Sequence, residues 1–470
     1  MHYRIREPAS GRALVDAGAS LAVLAQTIAP STLQAAVDAT GRREQRRRKL
    51  PADLVLALTL VMHLDPRSSL ETVLRRLLSG LRLLVPDPVP RLPGRSAISQ
   101  ARGRLGVRPV VALFRQVCRP LASAATPGAC RFGWRLVALD GTVENVPDTP
   151  ANARAFGRGR NQHQSTAFPQ VRGVYLVECG SHAILDAGFW PIHISEHTGA
   201  HRLLRSVTAD MLVLWDRGLH SHALATKVQA RGAQFLGRVP ARVRLEPDTW
   251  LADGSALAWW SPADRGPRRR HRHHSDRLRV RLITYTLTDP ARAGGGGRSR
   301  LVTSLLDPTT APARDLVAAY HERWEVELVI DEVDTHQRQG APLRSQTPVG
   351  VLQELYALLI VHYAIRATMH TAAVTATPAA QDPRTLSFTQ AVRLIVEALP
   401  HFQLVAGADH ARLYTRLLLD LRRAALPPRR GRVYPRVCRQ RHSRYPPKRD
   451  RHRHLHHPTI PFPEAIHILI

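Results

Sequence analysis

Cysteine and acidic residues are both scarce in this chain of 470 residues, and each shortage excludes a class of protein. The four cysteines are scattered and form no CxxC pair, so the sequence predicts neither a disulfide framework nor a cysteine zinc site. No run of about 18 uncharged apolar residues occurs, and the N-terminal MHYRIREPASGR lacks the apolar stretch of a secretory signal. We therefore expect a soluble cytoplasmic protein without a membrane partner.

The shortage of acids leaves a large excess of positive charge. The chain holds 67 Lys and Arg against 37 Asp and Glu, which gives a formal net charge of +30 and a pI near 11.4. Such an excess attracts a polyanion, a nucleic acid or a membrane surface, through phosphate neutralisation and counterion release. At 44% hydrophobic residues the chain still predicts a folded core rather than disorder.

The first part of the chain predicts helices. LPADLVLALTLVMHL and SLETVLRRLLSGLRLL have helical periodicity, and SAISQARGRLGVRPVVALFRQV predicts a helical pair hinged at Gly106 to Pro109. A basic cluster precedes these helices and favours phosphate contact; it contains Arg42, Arg43, Arg46, Arg47, Arg48 and Lys49.

The residue pattern changes at Arg131, where short runs of β-branched and aromatic residues predict a mixed sheet with helices between its strands. A long helix from Pro312 to before Gly340, two further helices and an arginine-rich tail follow. The predicted boundaries are a helical N-terminal DNA-binding domain over 1–125, an α/β core over 126–240 and 309–345, a β-rich insertion over 241–308, C-terminal helices over 346–420 and a basic tail over 421–470.

Three carboxylates within this pattern indicate metal chemistry. Asp140 and Asp216 each close an apolar strand-like run, RLVALDGT and MLVLWDRG, and the two strands are expected to be adjacent. In YHERWEVELVIDEVDTHQR, Tyr320, Arg323 and Glu327 are three and four residues apart, as on one helical face. Separated carboxylates of this kind can hold divalent metal ions, which cleave and join phosphodiesters.

With these motifs the chain resembles the DDE transposases of bacterial insertion sequences, of the insertion-element-four type. In that family the helix with the catalytic Glu carries Tyr, two residues, Arg, three residues, Glu, six residues and Lys, and Tyr320, Arg323 and Glu327 match it. Asp140 stands before Gly-Thr and Asp216 before Arg-Gly, as the family's aspartates do. TGRREQRRRKLP and SAISQARGRLG also look like the family's N-terminal domain.

The resemblance implies a ribonuclease-H-like catalytic core with a β-rich insertion, preceded by an all-helical domain and followed by a helical, basic C-terminal region. It implies cleavage of element ends and strand transfer into double-stranded target DNA by a two-metal mechanism with Mg²⁺, Mn²⁺ being possible, in a homodimer on paired ends near the bacterial nucleoid. Asp140, Asp216 and Glu327 are the expected catalytic and metal-binding residues. The expected DNA contacts are Tyr320, Arg323, Arg338, Arg217, Arg46, Arg47, Arg48 and Trp259.

One position departs from the family pattern. Six residues separate Glu327 from Asp334, which stands where the family has Lys, and Arg338 one turn further on could supply the missing positive charge. A catalytically inactive, transposase-derived DNA-binding protein is therefore the alternative. A basic RNA-binding or ribosome-associated protein would explain the charge but not the ordered carboxylates.

Overall fold

The computed structural model has an α/β fold in which a helical beginning precedes a strand-rich middle, as the sequence predicts. It describes residues 22–24, 26–46, 49–82, 93–160, 165–262, 277–289, 296–376, 379–426 and 460–469. The described residues form two compact units. The first comprises Met1–Cys130, Leu139–Ser206 and Glu325–Ala425, and the second comprises Arg131–Ala138, Val207–Trp324 and Leu426–Ile470.

The helices, in chain order, are α1 (Pro30–Ala39), α2 (Ala52–Val61), α3 (Leu70–Arg82), α4 (Arg95–Leu105), α5 (Arg108–Val117), α6 (Pro150–Phe156), α7 (Glu196–Leu203), α8 (His222–Gln229), α9 (Ala313–His321), α10 (Trp324–Asp331), α11 (Pro348–Val374), α12 (Phe388–Leu404), α13 (His410–Arg423) and α14 (Phe462–Ala465). The strands are β1 (Cys130–Arg131), β2 (Trp134–Asn145), β3 (Gln170–Glu178), β4 (Ala183–Pro191), β5 (Met211–Trp215), β6 (Gln234–Arg238), β7 (Pro247–Trp250), β8 (Ala256–Trp260), β9 (Leu278–Leu287), β10 (Ser299–Thr303) and β11 (Ile466–Ile468).

Helix α11 is the central element of the first unit. It begins with Pro348 after Thr347, whose side chain accepts a hydrogen bond from the Gly350 amide at 3.2 Å, the arrangement of a strong helix start. Its length and composition would suffice to cross a membrane, yet 78% of its apolar window is buried inside the protein. It packs against α2, α5 and α13, so it serves here as a core helix.

Strands β4, β3 and β2 are consecutive in the sheet of the first unit, where β3 and β4 form an antiparallel pair. In the second unit the order is β2-β5-β6-β10-β9-β8-β7. Since β5 and β6 are parallel and β6 and β10 antiparallel, the predicted mixed sheet is confirmed. The predicted adjacency of the strands that lead to Asp140 and Asp216 is confirmed as well, because β2 neighbours β5.

The strands from 241–308 do not form a separate sheet. β10 pairs with β6, so the strand-rich insertion extends the sheet of the second unit. Strand β8 was not foreseen from the sequence. The end of the predicted basic tail is also ordered, since β11 pairs antiparallel with β9 through Ile466 opposite Leu287. The predicted arginine-rich arm itself falls largely on 427–459, outside the described residues.

The long helix expected from Pro312 onward is interrupted. Helix α9 ends at His321, Glu322 and Arg323 form a turn, and α10 begins at Trp324. A π-helical segment, Glu332–Gln337, follows α10 directly. The expectation of one continuous helical face through Tyr320, Arg323 and Glu327 is therefore wrong, because the turn at 322–323 ends the regular 3.6-residue repeat.

Gly237 in β6 allows the close approach of the buried Trp215 indole. A Cβ atom built at Gly237 would lie 2.1 Å from Trp215 Nε1, and Trp215 is fully buried and stacked on Phe235 with ring centroids 5.2 Å apart. We therefore expect Gly237→Ala to destabilise the protein by about 2 kcal/mol or more, because the rigid indole has no free space to move into. Thermal unfolding followed by circular dichroism would measure this. Gly407→Ala is the control, since nothing lies within 4 Å of its Cβ position; equal melting temperatures of the two variants would contradict the prediction.

Candidate active site

Asp216 lies directly after the fully buried strand β5, where its carboxylate is held by the backbone that follows. Its Oδ1 accepts hydrogen bonds from the amides of Gly218 at 2.7 Å and Leu219 at 3.1 Å. A Cβ atom at Gly218 would lie only 3.0 Å from Oδ1, which explains a glycine at the end of the Asp-Arg-Gly motif. The hydrogen bonds of Asp216 among the described residues use Oδ1, so Oδ2 is available to a ligand.

Asp140 lies within β2 rather than at its end, because the strand continues to Asn145. Four buried residues precede it and it is itself half-buried. Its Oδ1 accepts a hydrogen bond from the Gly141 amide at 2.8 Å. The side chain of Glu196, from the first turn of α7, lies over Gly141, such that a Cβ there would be 2.8 Å from Glu196 Oε1. Glu196 is thus an acidic neighbour of Asp140 that was not predicted from the sequence.

Glu327 lies on α10 in the first unit, as Asp140 does. It is half-buried, whereas Glu325 and Val326 beside it are buried. Val326 lies in the core, whereas Trp324 is 45% exposed. Glu332 is buried and hydrogen-bonded to His182, His362 and Arg366.

Tyr320 and Arg323 belong to the second unit together with Asp216. Tyr320 is only 6% exposed at the end of α9, and burial raises the pKa of its phenol to about 12. Arg323, Arg238 and Asp216 are near enough to influence that pKa, the two arginines lowering it and the aspartate raising it. Tyr320 therefore stays a neutral hydrogen-bond donor at physiological pH.

Asp334, the position that departs from the family pattern, forms a charged group with Glu144 and Arg338. Arg338 Nη1 donates to Glu144 Oε2 at 2.8 Å, and its Nη2 lies 3.4 Å from Asp334 Oδ1. Burial and then the nearby Glu144 carboxylate raise the pKa of Asp334 to about 8. A phosphate approaching Arg338 would thus compete with two carboxyl groups already bound to it.

The raised pKa of Asp334 predicts how stability changes with pH. A carboxyl whose pKa rises from 3.8 to about 8 on folding favours the folded state fully below pH 4, and this contribution is lost as pH rises toward 8. Asp334→Asn keeps a neutral side chain at every pH, so it should stabilise the protein by about 2 kcal/mol or more at pH 8 and little at pH 4. Melting temperatures across this range would measure the difference. The control is Asp420→Asn, at a partly exposed carboxylate that pairs with Arg416 and Arg423, and a pH-independent effect of Asp334→Asn would refute the prediction.

The predicted DNA-contact residues lie in different environments. Arg46 and Arg217 are exposed, whereas Arg47 and Arg48 lie outside the described residues. Trp259 on β8 is 50% exposed, and the Arg279 guanidinium stacks over its ring at 4.9 Å. Trp260 beside it is buried and stacked on His220 with ring centroids 4.5 Å apart, which makes it a core residue.

The three candidate catalytic carboxylates suit a hard divalent cation by the chemistry of their donors. Each offers carboxylate oxygens, each is half-buried and so within reach of solvent, and each comes from a different element. Within the part of the chain that the structure describes, no three His, Cys, Asp or Glu side chains already stand grouped for a metal ion. The donor set therefore fits a divalent ion, while the joint site of the three residues stays a prediction.

Two protein-family models match the chain. The model described as insertion element 4 transposase N-terminal matches residues 18–115, and the model described as transposase DDE domain matches residues 132–364. The second match contains Asp140, Asp216 and Glu327.

Two relatives with known sequences agree with these matches. Transposase InsG for insertion sequence element IS4 of Escherichia coli (strain K12) is 29% identical over 433 residues, covering 91% of this chain and 93% of that protein. Putative transposase InsZ of the same organism is 29% identical over 235 residues, covering 47% of this chain and 72% of that protein. Among solved structures, the cryo-EM structure of the piggyBac transposase synaptic complex with hairpin DNA covers 91% of this chain and 88% of that chain, with 12% identity and a TM-score of 0.42.

Proposed function

The chain belongs to the DDE transposases of the insertion-element-four type, and from this we propose that it cuts the ends of an insertion element and joins them to target DNA. It is a DNA transposase, and its family depends on divalent metal. We propose Mg²⁺ as the physiological ion, with Mn²⁺ as a substitute, and a ribonuclease-H-like core over 126–240 and 309–345.

We propose that Asp140, Asp216 and Glu327 are the metal-binding and catalytic residues. The observation that carries this is their common place in the DDE-domain match, where each lies on or directly after a different helix or strand and has a half-buried carboxylate. Divalent ions held by such carboxylates stabilise the attacking and leaving oxygens of a phosphodiester displacement. Gly218 and Leu219 hold Asp216 Oδ1 through their amides, which orients Oδ2 before any ligand binds.

The remaining side chains of the proposed site bind and orient DNA. Tyr320 keeps its proton, so its hydroxyl can donate a hydrogen bond to a phosphate oxygen, and Arg323 adds positive charge beside it. Arg217 follows Asp216 and is exposed to solvent. Trp259 offers an exposed face on which an unpaired base can stack. We assign the exposed Arg46, with Arg47 and Arg48, to phosphate contacts of the N-terminal domain, and Arg338 to a phosphate that displaces Glu144.

We propose a homodimer on paired element ends, acting on the bacterial chromosome. The net charge of +30 supports strong, salt-dependent binding to DNA. A catalytically inactive DNA-binding protein is the second candidate, and Asp334 is the observation that favours it. An acid in place of the family's Lys removes a positive charge, and Arg338 is occupied by Glu144 and Asp334.

Metal removal separates these candidates. The test uses the full chain with a plasmid that carries the DNA flanking its coding region, and a plasmid with these flanks scrambled. We expect cuts at the flank boundaries with Mg²⁺ or Mn²⁺, none with EDTA, and none in the scrambled plasmid. Binding to the flanks without cleavage in the presence of either metal ion would indicate the catalytically inactive DNA-binding protein. Equal affinity for structured RNA and for the flanks would instead indicate a general RNA-binding protein.

A further inference from the structure

A buried cluster of five charged or titratable side chains lies directly beneath α10 in the first unit. His182 Nε2 is 2.6 Å from Glu325 Oε2, and His182 Nδ1 is 2.9 Å from Glu332 Oε1. Arg366 Nε donates to Glu332 Oε2 at 2.9 Å, and His362 Nε2 lies 3.0 Å from the same oxygen. All five residues are less than a tenth exposed. We call this set the His182 cluster.

The two glutamates of the His182 cluster face away from Glu327. Glu325 and Glu332 are seven residues apart, so about two helical turns bring them to the same side of α10. Glu327 is two residues from Glu325, which turns it by about 200° to the other side. Hydrogen bonds to Glu325 and Glu332 therefore fix the position of this helix along its axis and its rotation about that axis, and with them the position of Glu327.

The partners of these glutamates come from rigid elements. Arg366 and His362 lie one turn apart on the core helix α11, and the Arg366 guanidinium also stacks on Phe388 at 5.2 Å. Burial by itself would raise the pKa of Glu332, yet Arg366 and His182 outweigh it and hold that pKa well below the usual range. Glu332 is thus a permanently ionised anchor at the point where α10 changes into the π-helical segment.

His182 occupies a backbone conformation that few residues other than glycine adopt. It is the last residue of the short loop between β3 and β4, and its φ is +63°, in the left-handed region. A non-glycine residue persists there where other contacts hold it. The contacts of the two imidazole nitrogens, Nε2 with Glu325 of α10 and Nδ1 with Glu332 at the start of the π-helical segment, hold His182 in this conformation.

We propose that His182 is a positioning residue for the transposition reaction, which through Glu325 and Glu332 holds α10 so that Glu327 is presented in the geometry that cleavage needs. This rests on the proposed function, because it takes Glu327 as the third catalytic carboxylate. Arg366 contributes by donating to both carboxylate oxygens of Glu332, and its Nη2 lies 2.7 Å from His182 Nδ1. His182 itself is 2% exposed, and its imidazole nitrogens contact Glu325, Glu332 and Arg366.

Hydrogen exchange of α10 tests the positioning directly. His182→Asn introduces a residue that tolerates a positive φ but is too short to contact both glutamates. Arg366→Lys keeps the positive charge but loses the planar guanidinium group. The control is Gln353→Ala, which removes two hydrogen bonds of α11, to the carbonyls of Arg102 at 2.8 Å and Gly106 at 2.7 Å. Among the described residues the Gln353 side chain forms no hydrogen bond with α10 or His182. We expect exchange of amides 326–330 to rise about tenfold in the first two variants and less than about threefold in the control.

The Mg²⁺ concentration that gives half-maximal cleavage is the second readout, measured below the melting temperature of every variant. We expect it to rise about tenfold for His182→Asn, with metal-free DNA affinity within about twofold of the wild type, and to stay unchanged for Gln353→Ala. Unchanged exchange of α10 in His182→Asn would overturn the inference, as would an equal rise throughout the first unit. If Glu327→Gln leaves cleavage at the wild-type rate, the proposed function fails, and the exchange data still decide whether the cluster fixes α10.

Discussion

Asp216→Asn is expected to lower the rate of element-end cleavage by at least about 10³-fold, equivalent to roughly 4 kcal/mol of transition-state stabilisation, without unfolding the protein. The amide oxygen of Asn can still accept the hydrogen bonds that Gly218 and Leu219 donate to Asp216 Oδ1. Strand β5 is fully buried up to Trp215, so its end stays in place. The substitution thus removes one negative charge and one metal-binding oxygen, and preserves the turn.

The same experiment requires a control carboxylate next to the same strand, β5. Asp210 precedes the other end of the strand, where its carboxylate pairs with Arg135 at 3.1 Å and is half exposed. Asp210→Asn should change cleavage by less than about twofold, because an exposed ion pair contributes little. Cleavage rates, melting temperatures and metal-free DNA affinities would be measured for both variants. Cleavage by Asp216→Asn at a rate near that of Asp210→Asn would exclude Asp216 from the catalytic site.

Much of the sheet could be predicted from the sequence because its central strands are continuous apolar runs. β5 is buried along its whole length and reads MLVLW, and the glycine and charged residues after it end the strand at Asp216. The same rule placed Asp140 at a strand end, which is wrong. β2 continues through half-buried residues to Asn145, and a strand with one solvated face has no composition change that marks its end.

The helix break at Glu322 and Arg323 could not be predicted from the sequence. Every residue from Ala313 to Gln337 is compatible with a helix, and neither Gly nor Pro interrupts them. The break and the π-helical segment after Asp331 follow from tertiary contacts, among them the burial of Tyr320 and of Glu332. Local propensity contains no information about either.

The candidate site was predicted from short motifs, whereas its supporting residues depend on contacts far apart in the chain. Glu325, Glu332 and Arg366 are 143, 150 and 184 residues from His182 in sequence. Charged residues on a helix are usually solvated, so the burial of Glu332 is not apparent from its place in the sequence. The burial of Glu332 is favourable only because it has buried partners from the loop that precedes β4 and from α11. A single sequence does not show which charged residues, far apart in the chain, come into contact.

Arg281→Met is expected to destabilise the protein by about 3–5 kcal/mol, since it breaks a buried charged network of the second unit. Arg281 lies on β9 and is fully buried. Its guanidinium donates to Ser255 Oγ at 2.7 Å and to the Ala311 carbonyl at 2.7 Å, and it forms an ion pair with Asp253. Methionine fills much of the volume but leaves the acceptors without their donors.

The network of Arg281 also reaches the helix that carries Tyr320. Asp253 Oδ2 accepts a hydrogen bond from the Ala313 amide at 2.7 Å, which satisfies a free donor at the start of α9. The loss of Arg281 should therefore loosen α9 and weaken any contact of Tyr320 with DNA, in addition to lowering stability.

Arg279→Met provides the comparison, because Arg279 lies two residues away on the same strand. Its side chain is 26% exposed, pairs with Asp248 and stacks on the exposed Trp259. Its replacement should destabilise the protein by less than about 1 kcal/mol. Thermal unfolding of the two variants, together with hydrogen exchange of amides in α9, would measure both effects. A melting temperature for Arg281→Met no lower than that for Arg279→Met would mean that the buried guanidinium is dispensable, and that α9 is held by its apolar contacts with the sheet instead.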